Sequence, residues 1–302
     1  MNNNKPLKIV FFSSSDFCIP IVEAILTNPN LELLGVVTQP NWENRGKIYK
    51  NPISNFAENN NLKLFQPTKL NQSLEEFIIF FGSFDLGVVA SYGQIISNKI
   101  LILPTLGMIN WHPSLLPLYR GPTPIQTSIY QGDITSGLTW IKMDQGMDTG
   151  NIINQYSFDL TNKNFNQVSS ELGIMGGETL DNNIQKILKK ETLTKQDNTK
   201  ATITRMIDKN ISLIKPKNLI SYQILQHFLA YGEFPKTKIE TKKYGLIKLI
   251  NIEVYRQSII DISQEDEDFY FSKGKIILKT KEGLILIKEL ELSNGRRVKS
   301  SS

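Results

Sequence analysis

Short apolar runs of strand length alternate with segments of helical periodicity through the first third of the chain. The first run covers residues 7–12, and apolar residues then recur at helical spacing over 17–27. Further strand-like runs follow at 31–38 and 85–90, with helical segments between them. Strands separated by helices in this way form parallel βαβ units, so we predict an α/β fold with a doubly wound parallel sheet.

The last third of the chain has a different pattern. After a long helical segment, residues 191–209 are polar and lack periodicity, which predicts a linker. Residues 210–302 contain one helical stretch, over 219–231, and several short β-branched runs separated by glycines, which is typical of a small antiparallel barrel. We therefore predict an α/β domain over residues 1–190, the linker, and a C-terminal OB-like β-barrel domain over 210–302.

The composition excludes several classes of protein. Hydrophobic residues make up 40% of the chain, which is enough for a core and excludes a disordered chain. No apolar run approaches the ~18 residues of a transmembrane helix, so we expect no membrane association. Cys18 is the only cysteine, which excludes an internal disulfide and a cysteine-rich zinc site. We expect a reducing, cytoplasmic location and no metal.

Charge is distributed unevenly along the sequence. Residues 1–199 contain 15 basic and 17 acidic residues, whereas residues 200–302 contain 19 basic and 12 acidic residues, a formal net charge of +7. Basic surface attracts phosphate groups, so the C-terminal part is a candidate for binding an anion such as nucleic acid. A solvated, lysine-rich surface explains the same composition equally well.

The segment Asn110-Trp111-His112 ends a strand predicted over residues 107–112. Because side chains alternate along a strand, Asn110 and His112 share one face and Trp111 takes the other. Open α/β sheets place their ligands at the carboxyl ends of strands. An amide donor and an imidazole at that place can stabilise an oxyanion and move a proton. The alternative is a histidine that is hydrogen-bonded within the core.

A second candidate is the loop DQGMDTG at residues 144–150, between two predicted strands. A loop in this position can bring Asp148 to the same edge of the sheet as His112. A carboxylate beside an imidazole would favour the protonated ring. The alternative is an ordinary polar turn, because acidic residues and glycines are common in turns.

Two further polar segments follow the first two predicted strands. The turn at residues 13–16 has no glycine, so it lacks the GxGxxG pattern of dinucleotide sites and is explained by a helix N-cap. Residues 41–52 are predicted to form a loop, and this loop contains Arg45 and Lys47. These cations can contact a phosphate backbone or lie free in solvent.

Several segments together resemble the formyltransferase superfamily, whose members use 10-formyltetrahydrofolate. They are KIVFFSSSDF, GVVTQPNWENRGK, DLGVVASYGQII, LPTLGMINWHPSLLPLYRGPTPIQTSIYQGD, GLTWIKMDQGMDTGNII and TLTKQDNTKATITRMI. The HPSLLP segment is common to the superfamily, whereas TQP…RGK, YRG.(T/A)PIQ and MD.G.DTG are more specific to its methionyl-tRNA branch. The resemblance covers most of residues 7–210 and is weak beyond them.

The resemblance implies a Rossmann-like transferase domain followed by an OB-like domain that helps to bind tRNA. It implies a catalytic triad of Asn110, His112 and Asp148. It also implies a folate-binding segment made of Ser114, Leu115, Leu116 and Pro117.

The implied contacts with tRNA involve two places in the chain. Arg45 and Lys47 lie in the counterpart of a loop that approaches the acceptor end of the tRNA in this branch. Arg296 and Arg297, in SNGRRVK, are adjacent cations of the basic C-terminal part. We expect both pairs to contact phosphate groups.

The implied activity is transfer of a formyl group from 10-formyltetrahydrofolate to the α-amino group of methionine on initiator methionyl-tRNA. The expected partners are this tRNA and the folate co-substrate, and the chain is expected to be a monomer. Asn110 and His112 would stabilise the oxyanion, and Asp148 would orient His112 or order a water. Two alternatives stay open: an N-formyltransferase for an amino sugar or a ribonucleotide amine, and an inactive RNA-binding relative.

Overall fold

The computed structural model describes residues 5–44, 46–257 and 262–301, and these residues form two compact units. The described residues of the first unit fall within Met1–Pro124, Thr135–Asp159 and Ser169–Thr204. Those of the second unit fall within Ile125–Ile134, Leu160–Val168 and Arg205–Ser302. The predicted limits of the domains and of the linker stay predictions.

Strands and helices alternate through the first two thirds of the chain. In order, they are β1 (Leu7–Ser13), α1 (Ile19–Thr27), β2 (Leu31–Val37), β3 (Trp42–Asn44), β4 (Lys47–Tyr49), α2 (Pro52–Asn59), β5 (Leu64–Phe65), α3 (Leu74–Phe81), β6 (Leu86–Ala90), α4 (Asn98–Leu101), β7 (Met108–His112), α5 (Pro124–Gln131), β8 (Thr135–Lys142), β9 (Ile152–Asp159) and α6 (Phe165–Leu188).

The central sheet of the first unit has the strand order β5-β2-β1-β6-β7-β8-β9. Neighbouring strands from β5 to β7 are parallel, whereas β8 is antiparallel to both β7 and β9. Strands β1, β2 and β5 follow one another in one direction across the sheet, and the chain then returns to place β6 on the other side of β1. The direction in which strands are added therefore reverses between β1 and β6. The predicted Rossmann-like parallel sheet is confirmed, with two antiparallel strands added at one edge.

Helix α6 covers one face of this sheet at very short range. A Cβ atom added at Gly173 would lie 1.8 Å from the carbonyl oxygen of Phe17, and one added at Gly176 would lie 2.5 Å from the indole nitrogen of Trp111. Only glycine permits so close an approach. Trp111 on β7 is therefore enclosed, which leaves the opposite face of β7 for the polar side chains on either side of it.

Beyond residue 204, the described part of the second unit contains a predominantly antiparallel sheet and one α-helix. Its elements beyond residue 204 are β10 (Leu213–Ile214), α7 (Ser221–Tyr231), β11 (Thr237–Thr241), β12 (Gly245–Val254), β13 (Ile262–Glu265), β14 (Phe269–Ser272), β15 (Lys275–Lys279), β16 (Leu284–Leu292) and β17 (Arg297–Lys299). The order is β10-β11-β12-β16-β15-β14-β13, and β17 also pairs with β16. This strand-rich unit is consistent with the predicted small barrel. In neither unit does a described helix have the length and apolar composition needed to cross a bilayer.

The segment predicted as a loop over residues 41–52 contains a small hairpin instead. Strands β3 and β4 pair antiparallel, with Trp42 directly opposite Tyr49. The two rings stack with their centroids 5.8 Å apart and their planes at 8°. Cross-strand aromatic pairs stabilise short strands, which explains why so polar a segment forms a hairpin.

Candidate active site

Strand β7 presents two polar side chains on one face of the sheet. Asn110 and His112 are only 8% and 4% exposed, and Trp111 between them points to the opposite face, where its ring lies 6.0 Å from that of Phe17. The alternation follows from strand geometry, as the sequence predicts. Because β7 is parallel to β6 and ends at His112, the two side chains lie at the carboxyl edge of the parallel strands.

Asp148, in the loop between β8 and β9, brings its carboxylate to these two side chains. Its Oδ1 atom is 3.4 Å from the side-chain nitrogen of Asn110, and its Oδ2 atom is 3.6 Å from Nδ1 of His112. Oδ2 also accepts a hydrogen bond of 2.8 Å from the backbone N–H of Gly121. The structure therefore brings the three predicted catalytic side chains together at one place.

The imidazole of His112 faces an oxygen atom on each side. Nε2 lies 2.9 Å from the carbonyl oxygen of Tyr119, and Nδ1 faces the carboxylate of Asp148. A carbonyl oxygen only accepts hydrogen bonds, so Nε2 carries a hydrogen in this arrangement. Nδ1 is therefore the ring nitrogen that is left facing the carboxylate of Asp148.

The segment of residues 114–117 follows β7 directly and is held by hydrogen bonds inside the first unit. The hydroxyl of Thr139 donates to the carbonyl of Ser114 at 2.6 Å and accepts from the N–H of Leu116 at 3.1 Å. The side-chain amide of Gln155 donates to the carbonyl of Leu116 at 2.7 Å. Several backbone groups of the segment are therefore already paired, which fixes its shape.

The remaining members of this segment contribute packing rather than free polar groups. A Cβ atom at Gly137 would lie 2.6 Å from the side chain of Leu115, so Leu115 covers the backbone of β8. The carbonyl of Pro117 accepts a hydrogen bond from the N–H of Thr202. Leu118, the next residue, is 42% exposed. The segment thus forms a rigid, partly apolar ledge beside His112.

Sequence reasoning missed three polar residues that support the loop of Asp148. Arg120 and Gln196 are 7% and 5% exposed, and the guanidinium donates two hydrogen bonds to the side-chain oxygen of Gln196. It also donates to the side-chain oxygen of Asn198. All three lie within segments that resemble the formyltransferases, YRG and TLTKQDNTK, so their position in those segments was the available signal.

Two tRNA-binding residues are predicted in the 41–52 segment, and the structure describes one of them. Arg45 lies outside the described residues. Lys47 is exposed on β4, with its ammonium nitrogen 5.3 Å from the centre of the Tyr49 ring. Trp42 is 51% exposed and Tyr49 is 37% exposed, so the hairpin presents a stacked aromatic pair and a cation to solvent.

The two C-terminal arginines differ in their surroundings. Arg297 lies 3.4 Å from a carboxylate oxygen of Glu289 and 3.8 Å from one of Glu291, although its side chain is 61% exposed. Arg296 is also exposed, and within the described ranges its guanidinium has no hydrogen bond or ion pair. Of the two, Arg296 is the cation that is free to meet a phosphate group.

Two other reactive side chains are buried and serve the core. His227, the second histidine, is 2% exposed, and its ring nitrogens lie 3.0 Å from the hydroxyl of Thr237 and 2.7 Å from the carbonyl of Ile211. Burial lowers the pKa of His227. Burial also raises the pKa of Cys18 to about 12, so this thiol is not a nucleophile at neutral pH.

Comparison with solved structures gives the fold of the chain. HypX from Aquifex aeolicus, in complex with tetrahydrofolic acid, aligns with a TM-score of 0.67 at 12% identity over 98% of this chain and 46% of that chain. WlaRD, a sugar 3N-formyl transferase with dTDP and 5-N-formyl-THF, aligns with a TM-score of 0.65 at 22% identity over 93% of this chain and 96% of that chain. At these identities the likeness concerns the fold alone.

Comparison of sequences gives the family. Residues 7–170 match the family described as formyl transferase. The methionyl-tRNA formyltransferase of Trichormus variabilis is 32% identical over 96% of this chain and 93% of that protein. The one of Caldicellulosiruptor saccharolyticus is 32% identical over 97% of this chain and 94% of that protein. With a matched catalytic domain and relatives of this identity along nearly its whole length, the chain belongs to the formyl transferase family, in its methionyl-tRNA formyltransferase branch.

Proposed function

We propose that this protein transfers a formyl group from 10-formyltetrahydrofolate to the α-amino group of methionine on initiator methionyl-tRNA. The observation that carries the proposal is the meeting of Asn110, His112 and Asp148 at the carboxyl edge of a formyl transferase sheet. The near full-length relatives that are named methionyl-tRNA formyltransferase support the choice of acceptor.

The folate donor would supply a formyl group activated for transfer to an amine. The residues beside His112 fit a flat, partly apolar ring, because Ser114, Leu115, Leu116 and Pro117 form a fixed ledge that continues into the exposed side chain of Leu118. Because several backbone groups of these residues are already hydrogen-bonded, the ledge would contribute mainly its shape and its apolar contacts to folate binding. No metal has a part in the proposal.

Asn110 and His112 have the chemistry to stabilise negative charge on the formyl oxygen. The side-chain amide of Asn110 has two N–H groups, and only one is needed for the contact with Asp148. Such a donor, fixed in a buried site, is worth roughly 2.7–4 kcal/mol of the activation barrier. Both ring nitrogens of His112 face other oxygen atoms, so the charged ring would stabilise the same oxygen through its charge and not through a hydrogen bond.

Asp148 would set the charge and the orientation of His112. The attacking amine must lose a proton, and the carboxylate of Asp148 would accept it through an ordered water. The side chain of Asp148 is 16% exposed, so a water molecule can reach it. The carbonyl of Tyr119 holds the far side of the His112 ring and keeps Nδ1 turned toward the carboxylate.

The tRNA would be bound through phosphate groups and stacking. The basic C-terminal part of the chain, with Arg296 exposed and free of ion pairs among the described residues, would contact the phosphate backbone. Trp42, Tyr49 and Lys47 offer an exposed aromatic pair beside a cation, which is suited to an unpaired base and its phosphate. Arg45 would add a second cation to the same hairpin.

The deciding experiment measures formylation of methionyl-tRNA by the purified protein with 10-formyltetrahydrofolate. We expect turnover with initiator methionyl-tRNA and none with a dTDP-linked amino sugar or a ribonucleotide amine. Turnover with a small amine alone would overturn the acceptor that we propose. Binding of tRNA without any turnover would instead show an inactive RNA-binding relative.

A further inference from the structure

Gln196 clamps the backbone of the loop that contains Asp148. Its side-chain nitrogen donates one hydrogen bond of 2.8 Å to the carbonyl of Asp148 and one of 2.7 Å to the carbonyl of Gly150. An amide nitrogen has two hydrogens, so both are used in this clamp. Gln196 is 5% exposed, which excludes an ordinary surface contact.

The orientation of this amide is fixed by Arg120. Nε and Nη2 of Arg120 donate to the side-chain oxygen of Gln196 at 3.1 and 2.7 Å. A guanidinium only donates and a backbone carbonyl only accepts, so rotating the amide by 180° would lose all four hydrogen bonds. Arg120 therefore determines that the nitrogen of Gln196 faces the backbone of Asp148.

Arg120 is buried and makes no ion pair with any of the residues that the structure describes. It is 7% exposed, and within the described ranges no carboxylate oxygen lies within 4.0 Å of its guanidinium nitrogens. Its partners Gln196 and Asn198 are neutral amides. Burying an unpaired cation is unfavourable for folding, so stability alone does not explain an arginine at this position.

Asp148 needs this support because its backbone conformation is unfavourable. Its φ angle is +55°, in the left-handed region that residues other than glycine seldom adopt. Two consecutive residues, Arg120 and Gly121, hold the side chain and the backbone of Asp148. The N–H of Gly121 donates to its carboxylate, and Arg120 acts on its backbone carbonyl through Gln196. A change in either contact would turn the carboxylate away from His112.

We propose that Arg120 and Gln196 are positioning residues of the active site, which hold Asp148 in its left-handed conformation with the carboxylate toward Asn110 and His112. The proposal rests on the function proposed above. Gln196 lies beyond residue 170, where the match to the formyl transferase family ends, so the site depends on a chain segment outside the matched region.

The first test uses the variant Gln196→Met, which keeps the length of the side chain and removes both hydrogen bonds to the loop. Misplacing a reacting group by about 1 Å can cost ~100-fold in rate, so we expect kcat for methionyl-tRNA to fall by roughly 10- to 100-fold. KM for the tRNA and for the folate should change by less than about threefold, because neither substrate contacts Gln196 in this proposal. A raised KM with unchanged kcat would overturn the proposal and make Gln196 a substrate contact.

A double-mutant cycle tests the order of action. Arg120→Lys retains the cation and loses the two-pronged contact with Gln196, so this variant alone should also lower kcat. In the Gln196→Met background the same substitution should have almost no further effect, because Arg120 acts through Gln196. Additive losses of activity would overturn this relay. Asp197→Asn, an exposed change next to Gln196 that keeps the side-chain oxygen capping its turn, is the matched control and should stay within twofold of wild type.

A readout independent of activity completes the test. Hydrogen exchange at the backbone amide of Gly121, which donates to the carboxylate of Asp148, should be about tenfold faster in Gln196→Met than in wild type and unchanged in Asp197→Asn. An unchanged Gly121 amide in Gln196→Met would overturn the proposal. This measurement decides the positioning role even if the wild-type protein does not formylate methionyl-tRNA, so the two failures are distinguishable.

Discussion

Replacing Asp148 by asparagine removes a negative charge from the site and leaves the shape of the side chain nearly unchanged. An asparagine oxygen can still accept the hydrogen bond from Gly121, and asparagine tolerates the φ angle of +55° about as well as aspartate. The substitution therefore removes the charge of Asp148 and its 3.4 Å contact with Asn110, which the new amide nitrogen faces, and it keeps the hydrogen bond from Gly121 that holds the loop.

The expected loss follows from the distance between Asp148 and His112. Two unit charges 3.6 Å apart attract each other by about 4 to 5 kcal/mol at an effective dielectric constant of about 20. Solvent reaches the carboxylate, whose side chain is 16% exposed, so we take about 3 kcal/mol as the part that stabilises a charged imidazole. A barrier raised by that amount lowers kcat by roughly 100-fold.

The assay is steady-state formylation of methionyl-tRNA at saturating 10-formyltetrahydrofolate. We expect Asp148→Asn to lower kcat by about 100-fold with little change in KM, since the charge acts on the transition state. Asp85→Asn is the matched control: Asp85 accepts a hydrogen bond from the N–H of Lys8 at the opposite end of the sheet, an asparagine oxygen can still accept it, and kcat should therefore stay at the wild-type value. A value of kcat within tenfold of wild type for folded Asp148→Asn would refute the reasoning.

The remaining predictions concern the oxyanion, the tRNA and stability. Asn110→Ala should lower kcat by roughly 100- to 1000-fold through the loss of a buried donor, and a folded variant with normal turnover would contradict this role. Arg296→Glu should reduce the slope of log Kd for tRNA against log salt concentration by about 0.7–0.9. Arg297→Glu should have the same effect and should also lower Tm, because Arg297 pairs with Glu289. Unchanged tRNA binding in both variants would exclude this surface as a tRNA contact. Because burial lowers the pKa of His227, below pH ~6.5 the unfolded chain binds a proton that the folded chain excludes, so stability falls as pH falls. Thermal unfolding of His227→Gln between pH 5 and 7.5 should show a shallower dependence than wild type, and an equal slope would exclude His227 as the cause.

The parallel part of the fold could be predicted because it is encoded locally. Strand β1 contains the apolar run Ile9, Val10, Phe11 and Phe12, and all four residues are fully buried, as a strand covered on both faces requires. The direction of β8 was not encoded in this way. A helix lies between β7 and β8, which usually accompanies a parallel pair, yet the two strands are antiparallel. Strand direction depends on how the connection returns to the sheet, and no local pattern records it.

The hairpin of β3 and β4 shows a second limit of local patterns. Each strand has three residues, which is too short for an alternating pattern to stand out. Its stability comes from the stacking of Trp42 on Tyr49, two residues seven positions apart in a polar segment. The pairing becomes evident only when the register of the hairpin is known.

The candidate site shows the same difference between what local sequence patterns predict and what depends on the tertiary fold. Asn110 and His112 are two residues apart on one strand, so their shared face follows from the geometry of a strand. Asp148 could be proposed as a member of the site only through its loop and the family resemblance, because the composition of that loop is equally that of a turn. Gln196 follows Asp148 by 48 residues in a polar stretch, and only the folded chain reveals that its amide spans the carbonyls of Asp148 and Gly150. The candidate catalytic residues can thus be predicted from short motifs, whereas the residues proposed to position them become evident only in the tertiary fold.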